Sequence, residues 1–303
     1  MMDQMHFEIA GVGFSTSYPR TVDLQKPVSD YPVDFRKVSA GRGADVIDIR
    51  LELVNASEIE GLIKLCDSGQ TWSIFREGDG YVLSFNPISY PGTPLWLARF
   101  NQDCTWVTIQ CSEKFIDESD GRTTLLNPVR YPLDQLLLMY YLAGREGALL
   151  HAAGVNINGR GFIFPGRSGA GKSTLSRLLA DGQDMQVLSD DRMVVRKIDH
   201  SFWAFGTPWP GDEGIARNER MPLSGVMFLH HSQTNRVKPI TAQKALESLF
   251  PVTSIPWYDK DIMLKLLRFC EELITNIPSF ELEFKPSHEV IKCLKDFASS
   301  LGV

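Results

Sequence analysis

Gly166-Arg167-Ser168-Gly169-Ala170-Gly171-Lys172-Ser173 fits G-x-x-x-x-G-K-[ST], a loop whose backbone cradles phosphate. Residues 162–164 ahead of it, Phe-Ile-Phe, read as a short buried strand. Residues 174–180 behind it, Thr-Leu-Ser-Arg-Leu-Leu-Ala, read as a helix. That strand–loop–helix context gives the motif its meaning. The glycines let backbone N–H groups turn inward around an anion, and the helix N-terminus adds partial positive charge. The spacing assigns nucleotide contacts to Gly166, Arg167, Ser168, Gly169, Ala170, Gly171, Lys172, Ser173 and Thr174. Lys172 would reach the outer phosphates, and the Ser173 hydroxyl would be a ligand of Mg²⁺. The expected ligand is a nucleoside triphosphate, taken here as ATP. A glycine-rich turn that merely precedes a helix is the competing reading, and it leaves the match at every motif position and on both flanks unaccounted for.

Upstream, residues 149–157, the turn Asn158-Gly159 and residues 161–164 read as a hairpin, because Asn-Gly is a strong two-residue hairpin signal. The strand entering the loop is then the second arm of an antiparallel hairpin. His151 lies on the first arm, where cross-strand pairing brings it near the phosphates; a histidine satisfied within the core is the alternative. Downstream, the apolar strand 186–189 ends in Asp190-Asp191. A carboxylate at a strand end opposite such a loop holds Mg²⁺, and a neighbouring one can act as base toward a hydroxyl. Two adjacent acids also raise one another's pKa, which suits a base working near neutral pH. A plain Asp-Asp turn is the structural alternative. Residues 206–214, Gly-Thr-Pro-Trp-Pro-Gly-Asp-Glu-Gly, form a loop that either closes over a substrate, with Asp212 or Glu213 reaching the metal, or is a rigid surface turn anchored by Trp209. Arg217 and Arg220 beyond it either neutralise phosphate or lie in solvent.

The rest of the chain sets the frame. Its 303 residues allow two domains. Residues 1–120 are strand-rich, with alternation at 46–53, a hairpin around 77–80, and a meander of about five strands; they read as a packed β domain without a catalytic cluster. Residues 19–45 read as an irregular connection, and the polar stretch 117–127 as the boundary to a second domain at 125–303. In that domain 132–144 is an expected helix, as are 241–250, 260–273 and 288–299. Strands are expected at 193–197, 202–206, 226–230 and 280–284, and the fold class is α/β (α+β) with a mixed sheet. The net charge of −6 gives no ground for a nucleic-acid or acidic-membrane partner. Five cysteines without C-x-x-C spacing fit a reduced cytoplasmic protein. Residues 1–8 lack the basic flank and apolar core of a signal peptide, and no apolar run approaches the roughly 18 residues of a membrane span.

The stretch from His151 to Asp191 resembles HPr kinase/phosphorylase, of the superfamily with the phosphoenolpyruvate-carboxykinase-like P-loop. The resemblance rests on H-x-x-x-V, a hairpin turn and an apolar strand ahead of the loop. It rests also on G-x-S-G-x-G-K-S, matched at Gly166, Ser168, Gly169, Gly171, Lys172 and Ser173, and on the Asp pair, where Ser189-Asp190-Asp191 stands for the family's A-D-D. It implies an HPr kinase C-terminal-like domain in which Lys172 contacts the β- and γ-phosphates, Ser173 binds Mg²⁺, Asp191 deprotonates an acceptor serine, and His151 lies near the transferred phosphate. It also implies oligomers. Where the HPr enzymes carry a signature of the type E-I-R-G-L-G, this chain has Gly206-Thr207-Pro208-Trp209-Pro210-Gly211-Asp212, a form similar to HPr-kinase-related proteins associated with peptide modification. That departure turns the expected acceptor away from HPr.

The expected activity is ATP-dependent transfer of the γ-phosphoryl group to a serine hydroxyl of a peptide or small protein. Asp191, His151 and Lys172 are the expected catalytic residues, and Ser173, Asp190 and Asp212 the Mg²⁺ ligands. Two other readings remain: a nucleotide-sensing regulatory or assembly protein, and a kinase of a free small molecule.

Overall fold

The computed structural model describes residues 2–25, 31, 35, 45–54, 59–69, 71–86, 94–112, 116–119 and 122–301. Most of the connection read at 19–45 lies outside the described residues. The chain forms two compact units, Met1–Tyr141 and Leu142–Val303.

The first unit contains β1 (Met2–Ile9), β2 (Val12–Pro19), β3 (Asp23–Leu24), β4 (Val46–Leu53), β5 (Ile63–Asp67), β6 (Trp72–Glu77), β7 (Gly80–Phe85), β8 (Trp96–Phe100), β9 (Trp106–Cys111), β10 (Ile116–Ser119) and β11 (Arg122–Leu125). Eight strands make one sheet in the order β1-β2-β4-β9-β8-β7-β6-β5. The meander is present as the consecutive antiparallel run β5 to β9. It is extended by parallel pairings of β2 with β4 and β4 with β9, contacts between distant segments that alternation within one strand does not encode. The polar stretch read as a boundary folds as the β10–β11 hairpin. Helix α1 (Leu133–Ala143) follows, and the Tyr140 ring lies 4.7 Å from Tyr81 and 5.3 Å from Phe100. The division between compact units therefore falls near the end of this helix.

The second unit is built from β12 (Gly147–Ile157), β13 (Arg160–Pro165), α2 (Lys172–Ala180), β14 (Met185–Ser189), β15 (Arg192–Ile198), β16 (Ser201–Gly206), β17 (Arg220–His231), β18 (Arg236–Pro239), α3 (Ala242–Leu249), α4 (Lys260–Asn276), β19 (Ser279–Phe284) and α5 (Glu289–Ser300). The β12–β13 hairpin turns on Asn158 at φ 51° and Gly159 at φ 82°. This is the pair of positive dihedrals that a two-residue I′ loop demands. Two long strands change partners along their length. The first half of β12 pairs with β15 and the second half with β13 and β14. The start of β17 pairs with β16, and its remainder lies parallel to β13 and β19. The strand entering the loop thus has an antiparallel neighbour on one side and a parallel one on the other.

Burial explains the helices. Leu175 and Leu179, one turn apart on α2, and Val290, Leu294 and Ala298 of α5 pack against Val155, Phe162, Phe164, Leu282 and Phe284 of the sheet. On α4, Ile262, Leu266, Phe269, Cys270, Leu273 and Ile274 form one apolar stripe, and Phe269 faces Phe202 of β16 at 6.1 Å. Lys244 of α3 reaches Glu281, whose neighbours Phe280 and Leu282 point the other way into the core. This unit is a mixed α/β structure with a single large sheet system. No helix among the described residues is long and apolar enough to cross a membrane.

Candidate functional site

The phosphate loop is fastened at its start. Gly166 N–H donates to His151 O at 3.1 Å, so the hairpin partner strand fixes where β13 gives way to the loop. A Cβ on Gly166 would meet Ala170 Cβ at 2.9 Å. Gly169 (φ 82°) and Gly171 (φ 98°) are left-handed, a conformation that costs glycine nothing. Gly171 is the N-cap of α2 and supplies no side-chain cap, so the first-turn amides are left for an anion. Lys172, 5% exposed, donates from Nζ to Gly166 O at 2.8 Å and to Arg167 O at 3.2 Å. Burial pushes its ammonium below the ordinary lysine value; the Asp191 charge opposes the fall, Arg192 adds to it, and Asp190 opposes it.

Asp190 and Asp191 lie in the turn from β14 to β15, where Ser189 Oγ accepts from Asp191 N–H at 3.4 Å and Arg192 N–H at 3.3 Å. Successive side chains point apart, and the two acids go to different tasks. Asp190, 1% exposed, accepts Gly211 N–H at 2.9 Å on Oδ1 and Glu213 N–H at 2.8 Å on Oδ2. Asp191 accepts His151 Nε2–H at 2.8 Å on Oδ1 and faces Arg192 Nε at 3.3 Å with Oδ2. Its main chain is held as well, since Ala152 N–H donates to Asp191 O at 2.9 Å and His151 stands opposite Arg192 in the ladder. Mutual elevation of the two acid pKa values, expected from their adjacency, does not occur at Asp191. Burial pushes this carboxyl up, but the His151 hydrogen bond, the Arg192 cation and the Lys172 ammonium outweigh it and hold it below the usual 3.8.

The loop after β16 is drawn onto this turn. Thr207 Oγ1 donates to Arg192 O at 2.8 Å, and Trp209 is buried. A Cβ on Gly211 would lie 2.9 Å from Asp190 Oδ2 and 3.1 Å from Asp191 Cβ. Gly206 is tighter still: a Cβ there would lie 2.1 Å from Arg217 O and 2.9 Å from Leu188 O. Both contacts are with backbone, so no side-chain rotation relieves them. Gly206→Ala is therefore expected to destabilise the protein by about 3 kcal/mol. The midpoint of urea unfolding measures it, and an unchanged midpoint would show that the loop is not locked to β14. Of the two arginines beyond the loop, Arg217 donates from Nε to Val187 O at 3.1 Å, and Arg220 lies over the Trp203 ring at 4.5 Å. Both are exposed to solvent, and neither lines the cavity described next.

A cavity of about 470 Å³ joins these parts. Lys172, Ser173 and Thr174 line it from the start of α2, with Ser168, Gly169 and Gly171 of the loop. His151 and Asp191 face it from the hairpin and the β14–β15 turn, and Gly211 and Asp212 from the long loop. Gly166, Arg167, Ala170 and Asp190 are outside the lining. Two lining residues were not singled out from sequence. Arg192 follows the Asp pair directly, which was the signal available. His231 ends β17 with Nε2 3.4 Å from Gly169 O, and only the parallel pairing of β17 with β13 brings it there.

The donors present suit Mg²⁺. The cavity offers the Ser173 hydroxyl and the Asp212 carboxylate, both hard oxygen donors. Mg²⁺ takes one or two protein ligands and completes its shell with phosphate oxygens and water. Among the described residues no group of three or more His, Cys, Asp or Glu side chains gathers around one point. Asp190 differs from this set, because both its oxygens are engaged by backbone amides.

The second unit is thus an α+β structure carrying a glycine-rich strand–loop–helix at a polar cleft. No family model matches the chain, and no curated protein matches it. Among solved structures it is similar to the Hpr(Ser) kinase/phosphatase from Coxiella burnetii, at 13% identity over 50% of this chain and 89% of that one, with a TM-score of 0.30. Similarity of that strength does not establish a common fold, and the chemistry has to be read from the cleft itself.

Proposed function

We propose that this protein is an ATP-dependent kinase that transfers the γ-phosphoryl group to a serine hydroxyl of a peptide or small protein. The observation that carries this reading is the His151 Nε2–Asp191 Oδ1 hydrogen bond of 2.8 Å, placed on the same cavity as Lys172 and Ser173. A loop that only senses nucleotide needs no oriented carboxylate at the phosphate end.

In this mechanism the loop amides and Lys172 position the phosphates. Ser173 and Asp212 would hold Mg²⁺, which supplies charge neutralisation on the β- and γ-phosphate oxygens. Asp190 ties the 211–213 segment in place and thereby presents Asp212. Asp191 accepts the acceptor's O–H hydrogen bond, and His151 fixes the direction of its carboxylate. A carboxylate held below its usual pKa is a weak base toward a free alcohol. It becomes competent as the new O–P bond forms, because the hydroxyl acidifies sharply at that point. Most of the rate then comes from positioning and electrostatics. Ser168, Gly169, Asp212 and His231 on the rim are exposed, which supports an acceptor presented on a chain over an enclosed metabolite.

Incubation with γ-labelled ATP, Mg²⁺ and a set of serine-containing peptides tests this. Label recovered on peptide serine is the expected result. Label on free serine alone would select the small-molecule kinase, and tight ATP binding without any transfer would select the sensor.

A further inference from the structure

Arg192 is a cation on the cavity wall that the mechanism above does not use. Its backbone is fixed on three sides. It pairs with His151 in the ladder, its N–H donates to Ser189 Oγ, and its carbonyl accepts from Thr207 Oγ1. Its side chain is held less firmly. The Nε–Asp191 Oδ2 distance of 3.3 Å is long for a charge-assisted hydrogen bond, which is usually about 2.7–2.9 Å. Lys172 lines the same cavity, and each of these two cations lies close enough to Asp191 to lower its pKa. Two cations, Lys172 and Arg192, and two carboxylates, Asp191 and Asp212, line this cavity; with Asp212 taken up by Mg²⁺, the remaining cations favour a ligand that brings several negative charges.

We infer that Arg192 is a phosphate-neutralising residue, which leaves Asp191 Oδ2 and pairs with the transferring phosphoryl group when ATP and acceptor are bound. This inference rests on the kinase reading. The exchange releases Oδ2 at the moment a proton needs a destination. The acceptor oxygen forms a bond to Pγ while the bond from Pγ to the β,γ-bridging oxygen breaks. ADP departs with that electron pair, and the hydroxyl proton moves to Asp191 Oδ2, from which it passes to solvent. The phosphate ester and ADP are the products. A guanidinium suits this task because its planar fork spans two oxygens and its charge does not vary with pH. Serving Asp191 in one state and phosphate in the other also explains why the resting contact is long.

The test compares wild type with Arg192→Gln and Arg192→Lys in three measurements: affinity for MgADP, affinity for MgADP with aluminium fluoride, and steady-state transfer from ATP. Wild type should bind the aluminium fluoride complex far more tightly than MgADP. Arg192→Gln should leave MgADP affinity within about threefold and weaken the aluminium fluoride complex by about 100-fold, with a similar fall in kcat and little change in KM for ATP. Arg192→Lys should recover part of the loss. Equal affinity of wild type and Arg192→Gln for the aluminium fluoride complex would overturn the role of Arg192 alone. Two variants that lose MgADP binding to the same extent would assign Arg192 to the fold and also overturn it. A wild type that gains nothing from aluminium fluoride would overturn the kinase reading and this inference with it.

Discussion

On the kinase reading, Lys172→Ala should reduce phosphoryl transfer by about 10³-fold or more, since the cation lost would act on charge developing on the phosphates. The structure shows why no neighbour substitutes for it. Lys172 is 5% exposed and projects from the first position of α2 beneath Gly166 and Arg167, whose carbonyls hold its ammonium. Burial of that ammonium is unfavourable, as the fall in its pKa records. The charge therefore costs stability, and its retention needs a functional explanation. Lys172→Met keeps the aliphatic stem and removes the charge. It should be at least as stable as wild type in thermal unfolding while losing transfer as fully as the alanine variant. Retained activity in the methionine variant would remove the loop from the chemistry.

Asp191→Asn should lower kcat by about 10²- to 10⁴-fold, the range for loss of a positioned proton acceptor. Affinity for ATP should stay within a few-fold. Asparagine can still accept the His151 hydrogen bond on its Oδ1, so the turn between β14 and β15 is expected to survive. It cannot take a proton, and it no longer offers Arg192 a charge. The same variant carries a prediction for stability. The folded pKa of Asp191 is held below its usual 3.8, so the ionised form stabilises the folded state. That contribution is fully present above the usual carboxylate pKa and disappears as pH falls through the lowered folded value. Asp191→Asn should therefore lose stability near neutral pH and lose little at the acid end. Urea unfolding across that range reads the difference. Transfer at near the wild-type rate would show that Asp191 is not the acceptor of the proton.

Local signals carried the reading a long way in the second unit. Asn158-Gly159 specifies a hairpin, because few residue pairs tolerate two positive φ values, and the observed turn is that hairpin. The helices expected at 174–180 and 260–273 are present as α2 and α4, and Leu175 and Leu179 on one and the apolar stripe on the other are their buried faces. Periodicity failed where the partner lies far along the chain: the parallel pairings around β4 join segments whose sequences carry no mark of one another. The adjacent acids illustrate a second limit. Asp190 and Asp191 look equivalent as a dipeptide, and only the fold turns one toward the amides of residues 211 and 213 and the other toward His151.

The sequence by itself determined the glycine-rich strand–loop–helix and the hairpin leading into it. Both are short-range devices, in which glycine dihedrals and helix-end amides act within a dozen residues. Only the tertiary structure decided which charged groups share the cleft. Arg192, His231 and Asp212 reach it through the exchange of partners along β12 and β17 and through the buried Asp190 that pins the long loop. Side-chain direction at a strand end depends on which strands flank it, and that is a property of the assembled sheet.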